Sequence, residues 1–264
     1  MTYFGFLLRF LVIPIIIFLV ITWWDNKNNR PTNGFQNGNF VWRIIGVHIL
    51  LALVYTTPWD NYLVATGVWY YNPDLVTGIV LGYVPIEEYT FFILETFLTG
   101  LWWWFLARRF QEPNQPFKPS KNGRITAFGI LFAAWLVFTY LFFLGGAEWT
   151  YLAIILFWAL PPIFPQILFG GDILWHYRKL VFTAIFIPGF YLSMADIVAL
   201  TDTTWSISKD QTTGILFFNI LPLEEVVFFF ITNVLIGFGM TLMLSKVGWQ
   251  RFEEWKSKNY KGLP

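Results

Sequence analysis

Seven stretches of this chain are long and apolar enough to cross a lipid bilayer. A helix needs about 20 mostly apolar residues to span the hydrocarbon core of a membrane. The stretches are residues 3–24, 41–58, 82–107, 125–144, 149–169, 180–200 and 215–245. Charged residues make up only 12% of the chain, against about 25% in a typical soluble domain. The sequence therefore predicts an all-α integral membrane protein with about seven transmembrane helices.

The basic residues predict how these helices are oriented. The first stretch contains Arg9 and lacks a small-residue cleavage site after it, so we expect a retained helix rather than a signal peptide. One side of the membrane then receives three Lys or Arg residues after the first span, five after the third, two after the fifth and five in the tail, which is 15 of 17. The tail residues are Lys246, Arg251, Lys256, Lys258 and Lys261. The positive-inside rule predicts a cell-membrane protein with its N-terminus outside and its C-terminus in the cytoplasm. Because membrane topology accounts for the basic tail, no nucleic-acid partner is predicted.

Residues about 136 positions apart show that the chain is an internal duplication. Asp60 matches Asp196, Trp69 matches Trp205, and after a one-residue shift Pro85-Ile86-Glu87-Glu88 matches Pro222-Leu223-Glu224-Glu225. Helices 1 to 3 therefore correspond to helices 5 to 7, and helix 4 supplies the extra crossing that makes the two units parallel. We predict a first repeat at residues 1–110, a linker loop and helix at 111–147, and a second repeat with the basic tail at 148–264. Parallel repeats bring equivalent faces together around a central cavity.

Each repeat carries a pair of adjacent glutamates inside a long apolar stretch. The pairs are Glu87 with Glu88 and Glu224 with Glu225. A carboxylate near the centre of a membrane helix costs roughly 2.5 to 3.5 kcal/mol even on the lenient insertion scale, so such residues usually mark a functional site. Two neighbouring carboxyl groups in a low-dielectric environment do not both ionise readily, so such a pair can give a proton and take one back.

Helix capping is the alternative explanation for these glutamates. A proline at the first helical position and acidic residues in the first turn are favourable for any helix. Capping does not explain why apolar sequence extends about seven residues before Pro85 and before Pro222. We therefore expect each span to begin well before its proline, which would place the carboxyl groups below the outer membrane surface.

Other polar and aromatic residues recur at matched distances from the glutamates. Asp60 and Asp196 lie near the ends of helices 2 and 6, where turn formation is the alternative role. The aromatic candidates are Trp59, Trp69, Phe91, Phe92, Trp205, Phe228 and Phe229. Many aromatic side chains in membrane proteins only pack or lie at the interface, but a subset facing a cavity would suit an elongated polyene and would stabilise a carbocation.

The sequence argues against several other kinds of site. It contains no cysteine, which excludes disulfides, thiolate metal sites and cysteine nucleophiles. It contains no G-x-G-x-x-G motif and no P-loop, so no flavin or nicotinamide cofactor is predicted. An oxygen cage for a divalent metal, built from the glutamates with Asp60 and Asp196, is a weaker alternative because no aspartate-rich Asp-x-x-x-Asp motif accompanies it. His48 and His176 are each interpreted as structural residues.

The motifs together resemble the integral-membrane lycopene cyclase family in its fused form. The first half contains Pro58-Trp59-Asp60-Asn61-Tyr62, Gly67-Val68-Trp69 and Pro85-Ile86-Glu87-Glu88-Tyr89-Thr90-Phe91-Phe92, and the second contains Pro222-Leu223-Glu224-Glu225 followed by Phe228-Phe229-Phe230-Ile231-Thr232-Asn233. The resemblance covers nearly the whole chain apart from residues 26–39 and the tail. The second repeat differs at Asp196, which lacks the Pro-Trp before it and the Asn after it.

This resemblance implies an isomerase of carotenoid biosynthesis that closes β-rings at the ends of lycopene without a cofactor. It implies catalytic roles for Glu87, Glu88, Glu224, Glu225, Asp60 and Asp196, and substrate contacts from the seven aromatic candidates and Asn233. The implied partners are lycopene, related carotenoids and the bilayer, with the protein a monomer or a homo-oligomer. Another acyclic carotenoid as substrate, ε-ring formation, a proton-coupled transporter and a non-catalytic carotenoid-binding scaffold stay open as alternatives.

The resemblance leads to a first prediction for the glutamates. Glu87→Gln and Glu224→Gln should abolish ring formation while leaving the protein inserted in the membrane, because an amide cannot donate or accept the proton. Chromatography of pigments from cells that make lycopene measures this. Turnover close to that of the unaltered chain in either variant would contradict the prediction.

Overall fold

A computed structural model describes residues 1–259 of the chain, which contain eight helices. Seven are long and apolar enough to span a membrane, which confirms the predicted number of spans and makes the chain an integral membrane protein. They are α1 (Tyr3–Lys27), α2 (Asn39–Ala65), α3 (Ile86–Ala107), α4 (Lys121–Leu144), α5 (Thr150–His176), α6 (Arg178–Thr201) and α7 (Leu223–Leu244). The predicted basic tail forms an eighth helix, α8 (Lys246–Asn259); Lys261 lies outside the described residues.

Six short strands lie at the end of the bundle where α3 and α7 begin. They are β1 (Trp69–Tyr71), β2 (Val80–Leu81), β3 (Val84–Pro85), β4 (Trp205–Ile207), β5 (Leu216–Phe217) and β6 (Leu221–Pro222). Strands β2 and β3 form one hairpin, and β5 and β6 form another. Strand β1 pairs with β4 in antiparallel register, with Tyr71 opposite Trp205. This ladder joins segments of the chain that are more than 130 residues apart.

The two hairpins correct the predicted starts of two spans. The sequence predicted helices from residues 82 and 215, whereas α3 begins at Ile86 and α7 begins at Leu223. Pro85 has an extended backbone (φ −66°, ψ 150°) and is the N-cap of α3, and Pro222 is the equivalent N-cap of α7. The residue before a proline is also pushed toward extended conformations. The apolar residues before each proline therefore turn back as an exposed hairpin instead of lengthening the helix.

Two other helices are longer than predicted. The sequence predicted that α2 ends at Pro58, but the helix continues to Ala65. Proline removes one backbone donor, which transmembrane helices tolerate because neighbouring groups and local adjustments satisfy the freed carbonyl. Trp59 and Asp60 consequently lie in a helix and not in a loop. Helix α5 similarly extends beyond residue 169, so His176 ends that helix instead of lying in a loop.

Helices α3 and α7 form the centre of the bundle. Three side-chain hydrogen bonds join them: Thr99 donates to Asn233 (2.8 Å), Thr232 to Glu95 (2.8 Å) and Trp103 to Thr241 (2.9 Å). Hydroxyl and amide groups commonly join helices in this way inside membranes. By contrast, helix α4 packs against α5, and the structure buries none of its 24 residues. Helix α4 therefore lies at the periphery.

Two buried aspartates anchor the end of the bundle opposite the strands. Asp25 of α1 forms an ion pair with Arg109 at 2.9 Å, and Arg108 and Arg30 lie 3.7 Å and 3.5 Å from the same carboxylate. Asp172 of α5 accepts two hydrogen bonds from Arg251 of α8, at 2.7 Å and 2.9 Å. Paired contacts between a guanidinium and a carboxylate fix both position and orientation.

The Asp25 cluster gives a prediction for stability. Asp25→Ala should lower the free energy of unfolding by about 3 kcal/mol, because it leaves the guanidinium of Arg108, which is 3% exposed, buried without its carboxylate. Denaturant unfolding in detergent micelles measures the loss. Asp74→Ala is the control, since Asp74 is exposed. Equal unfolding midpoints for the two variants would show that Asp25 does not stabilise the bundle.

Candidate active site

The first glutamate of each pair binds the backbone of the loop before its hairpin. Glu87 Oε1 accepts a hydrogen bond from the Thr77 N–H at 2.6 Å, and Glu224 Oε1 accepts one from the Thr213 N–H at 2.7 Å. Both glutamates are fully buried. Within the described part of the chain, their Oε2 atoms have no hydrogen-bond partner. Each of these side chains therefore ties the first turn of a central helix to the preceding loop.

The second glutamate of each pair accepts hydrogen bonds from tyrosines. Glu88 Oε2 accepts from the hydroxyls of Tyr3 (2.5 Å) and Tyr71 (2.9 Å), and Glu225 Oε1 accepts from the hydroxyl of Tyr151 (2.7 Å). Burial, followed by the nearby Glu88 carboxylate, raises the pKa of the Tyr71 phenol well above its usual range. That phenol consequently stays protonated and remains a donor at any physiological pH.

Two aspartates complete a cluster of four interacting carboxyl groups. Asp196 Oδ1 accepts a hydrogen bond from Trp205 Nε1 at 2.8 Å, and Asp196 interacts electrostatically with Glu88 and Glu225. Asp60 is fully buried and interacts electrostatically with Glu88. Neither carboxyl oxygen of Asp60 has a hydrogen-bond partner among the described residues. Four carboxyl groups this close together in a buried site cannot all be ionised at once.

A small pocket of about 30 Å³ lies between these groups. Its lining comprises Glu88, Asp196, Glu225, Tyr3, Tyr71, Trp69, Phe91, Trp205, Ile207, Phe228 and Phe229. Glu87, Glu224 and Asp60 are not part of that lining. The structure thus brings three of the six predicted catalytic residues to one pocket, and the other three are not part of its lining.

Two tryptophans that line the pocket come from the β1–β4 ladder. Trp69 of β1 packs edge-on against Tyr151, with ring centroids 5.8 Å apart, and Trp205 of β4 lies 4.8 Å from the ring of Tyr3. Each tryptophan therefore contacts the tyrosine that hydrogen-bonds to the glutamate of the other half of the chain. The pocket is built from both halves together.

A second, much larger cavity of about 470 Å³ lies between α2, α3, α5, α7 and α8. Phe92 lines this cavity, as does Trp158. Trp59 separates the two spaces, because its ring lies 4.8 Å from that of Trp158 and 5.7 Å from that of Phe228 in the small pocket. Asn233 lies outside both linings and bonds to Thr99 and to the Phe229 carbonyl. Aromatic side chains therefore lie between the small pocket and the large cavity.

Sequence reasoning missed the three tyrosines whose hydroxyls bind Glu88 and Glu225, and it missed Glu95 of the large cavity. Tyr3 and Tyr151 lie near the starts of α1 and α5, and Tyr71 is two residues after Trp69. Glu95, which is 2% exposed and lines the large cavity, was visible as an acid within an apolar helix. As for metals, no group of three or more Asp, Glu or His side chains within residues 1–259 is arranged to hold an ion.

Comparison with known proteins shows the family of the chain. A lycopene beta-cyclase of Halobacterium salinarum is 40% identical to the chain over 206 residues, which are 75% of this chain and 81% of the relative. The chain belongs to the lycopene beta-cyclase family. The resemblance inferred from the paired motifs is therefore confirmed. No protein-family model matches this cyclase, and no solved structure matches it.

Fungal relatives of this cyclase are larger proteins. A bifunctional lycopene cyclase/phytoene synthase of Podospora anserina is 35% identical over 205 residues, which are 75% of this chain but 34% of the relative. The corresponding protein of Gibberella fujikuroi is 36% identical over 197 residues, which are 73% of this chain and 33% of the relative. The similarity thus covers about a third of each fungal protein.

The tyrosine contacts give a prediction for this cyclase. Tyr71→Phe should slow turnover on the order of 10-fold, because a hydrogen bond to a charged group contributes about 1.5 to 3 kcal/mol. Tyr70→Phe is a matched control on the same strand, since Tyr70 is 53% exposed. Conversion of lycopene by isolated membranes provides the rate. Equal rates for the two variants would show that the phenol of Tyr71 does not support the reaction.

Proposed function

We propose that this enzyme closes β-rings at the ends of lycopene and related acyclic carotenoids inside the carboxyl pocket. As a member of the lycopene beta-cyclase family it is an isomerase of carotenoid biosynthesis. One observation carries the assignment of the site. Glu88, Asp196 and Glu225 line a single aromatic pocket that abuts a large apolar cavity, so proton donors and acceptors lie beside a space suited to a polyene.

The chemistry requires one proton to be added and one to be removed. A protonated carboxyl group adds its proton to the terminal double bond of the substrate, which leaves a carbocation. The neighbouring double bond attacks this cation and closes the ring, and the cation moves to a ring carbon. Loss of a proton from the adjacent ring carbon forms the β-ring double bond. The substrate gains and loses one proton in total, so no electron acceptor or donor is needed.

The contacts of the carboxyl groups support a division of these two tasks. Glu88 Oε2 accepts hydrogen bonds from two phenols, and such bonds favour the ionised form of a carboxyl group, which makes Glu88 the base. Asp196 and Glu225 lie close enough to repel each other when both are ionised, so one of them retains a proton and acts as the acid. Trp69, Trp205 and Phe228 present ring faces and edges to the reacting end, where a cation develops.

The aromatic layer must move for the substrate to reach these groups. The pocket volume of about 30 Å³ holds little more than one water molecule, which is far less than the terminal part of a carotenoid. Rotation of Trp59 and Phe228 would join the pocket to the large cavity, because these two side chains separate them. The polyene would then lie in the cavity with its reacting end among the carboxyl groups.

The arrangement of the chain supports two parallel repeats at residues 1–110 and 148–264, joined by a linker at 111–147. Equivalent contacts recur in the two halves: Glu87 and Glu224 each bind a threonine N–H, and Glu88 and Glu225 each bind a tyrosine hydroxyl. The peripheral position of α4 suits a linker helix.

The distribution of Lys and Arg favours a cytoplasmic C-terminus and an outer position for the carboxyl pocket. Both halves of the pocket come from one chain, so a monomer would suffice.

Substitution of both glutamates of the first pair, and of Glu225 from the second pair, tests this assignment. Glu88→Gln and Glu225→Gln should each reduce ring formation by about 100-fold or more, because they remove a proton donor or acceptor from the pocket. The structure changes the expectation for Glu87→Gln from complete loss to partial activity, because Glu87 contacts the Thr77 backbone and is not part of the pocket lining. Pigment chromatography from lycopene-accumulating bacteria measures all three variants, with the exposed Glu148→Gln as control.

The relative activities of these variants distinguish the glutamates of the pocket from the glutamate that binds the Thr77 backbone. If Glu87→Gln loses activity as completely as Glu88→Gln while both accumulate in the membrane, the reacting group is not confined to the small pocket. If the unaltered chain leaves lycopene unchanged, the substrate is a different acyclic carotenoid or the chain is not a cyclase.

A further inference from the structure

The small pocket and the large cavity extend in succession along one helix. Glu225 in the pocket and Met243 in the cavity lining are both residues of α7. They are eighteen residues apart, which corresponds to about 27 Å of α-helix. The hydrocarbon core of a bilayer is about 30 Å thick. Rotation of Trp59 and Phe228 would join the two spaces into one that extends over most of the hydrocarbon core, which suits an elongated polyene.

The two ends of this space differ in chemistry. One end carries Glu88, Asp196 and Glu225. The opposite end, which we term the distal chamber, is lined by the side chains of Phe40, Phe169, Met243, Trp249 and Phe252. All five are apolar. Lycopene has two identical ends, so one of them reacts while the other lies in a chamber that cannot transfer protons.

The second ring therefore requires the substrate to bind again in the reverse direction. After one turnover the product carries a ring at one end and an open chain at the other. For the open end to reach the carboxyl groups, the finished ring must lie in the distal chamber. A substituted cyclohexene ring is wider than an open isoprenoid chain, so the second turnover makes a steric demand that the first does not.

The α8 wall of the distal chamber is anchored, while Met243, Trp249 and Phe252 are each 41% exposed and leave the chamber open on one side. Arg251 of α8 donates two hydrogen bonds to Asp172, at 2.7 Å and 2.9 Å, and one to the Phe169 carbonyl at 2.6 Å. Trp249 of the same helix packs edge-on against Phe40, with ring centroids 5.6 Å apart. A wall fixed at these points resists the expansion that a larger end group would require.

We infer that the distal chamber determines whether one ring or two are formed, by accepting or excluding a finished ring at the end of the substrate that is not reacting. This inference rests on the proposed function of the carboxyl pocket. It assigns to Met243 and Trp249 a role in substrate specificity that involves no contact with the reacting atoms.

The experiment compares two substrates on the same membranes. Met243→Trp narrows the distal chamber and Trp249→Ala widens it. Initial rates are measured separately with lycopene and with the one-ringed carotene. Met243→Trp should lower the rate with the one-ringed substrate about 10-fold more than the rate with lycopene, since added bulk in a packed space is unfavourable and the finished ring is the wider end group. Trp249→Ala should shift the ratio of the two rates in the opposite direction.

The control and the contrary outcomes keep this inference separate from the proposed function. Ile125→Trp adds the same ring to an exposed position outside the cavity lining, and should leave both rates unchanged. If Met243→Trp and Trp249→Ala change both rates by equal factors, or change neither, the distal chamber does not select the number of rings while the cyclase assignment stands. If the unaltered chain closes no ring on either substrate, the proposed function fails, and this inference fails with it.

Discussion

The burial of carboxyl groups within a membrane bundle is the constraint on which this structure depends. A carboxyl group removed from water is costly unless hydrogen bonds compensate for the lost hydration. For Asp196 and the four glutamates of the paired motifs, the compensation comes from phenol, indole and backbone N–H donors that originate in four different parts of the chain. The two hairpins, the β1–β4 ladder and the starts of α1 and α5 all serve to bring those donors to the glutamates.

The same constraint explains why the pocket needs both halves of the chain. Trp205 of the second half donates to Asp196 and packs on Tyr3, which binds Glu88 of the first half. Trp69 of the first half packs on Tyr151, which binds Glu225 of the second half. Neither half could bury its carboxyl groups in the same way alone, because the other half supplies part of the aromatic enclosure.

At the opposite end of the bundle, the buried carboxylates have arginine partners instead of tyrosine partners. Asp25 and Asp172 are buried but lie against arginines, so their charges are compensated and they anchor helices. The glutamates of the pocket have tyrosine partners and no cation among the described ion pairs. A compensating arginine would hold a carboxyl group ionised and would prevent proton donation. The arrangement therefore separates carboxylates paired with arginine from the carboxyl groups to which we assign the proton transfers.

The sequence by itself determined the membrane location, the number of spans, the family and a set of six carboxyl groups that includes the three of the pocket. These depend on apolar length and on paired motifs, which are local properties of the chain. It did not reveal that Val80–Leu81 and Leu216–Phe217 belong to hairpins, because a short apolar run before a proline suits a strand as well as a helix. It also did not distinguish Glu87 from Glu88. Adjacent residues on a helix point about 100° apart, and only the packing of Tyr3, Tyr71 and the Thr77 loop decided which carboxyl group faces the pocket.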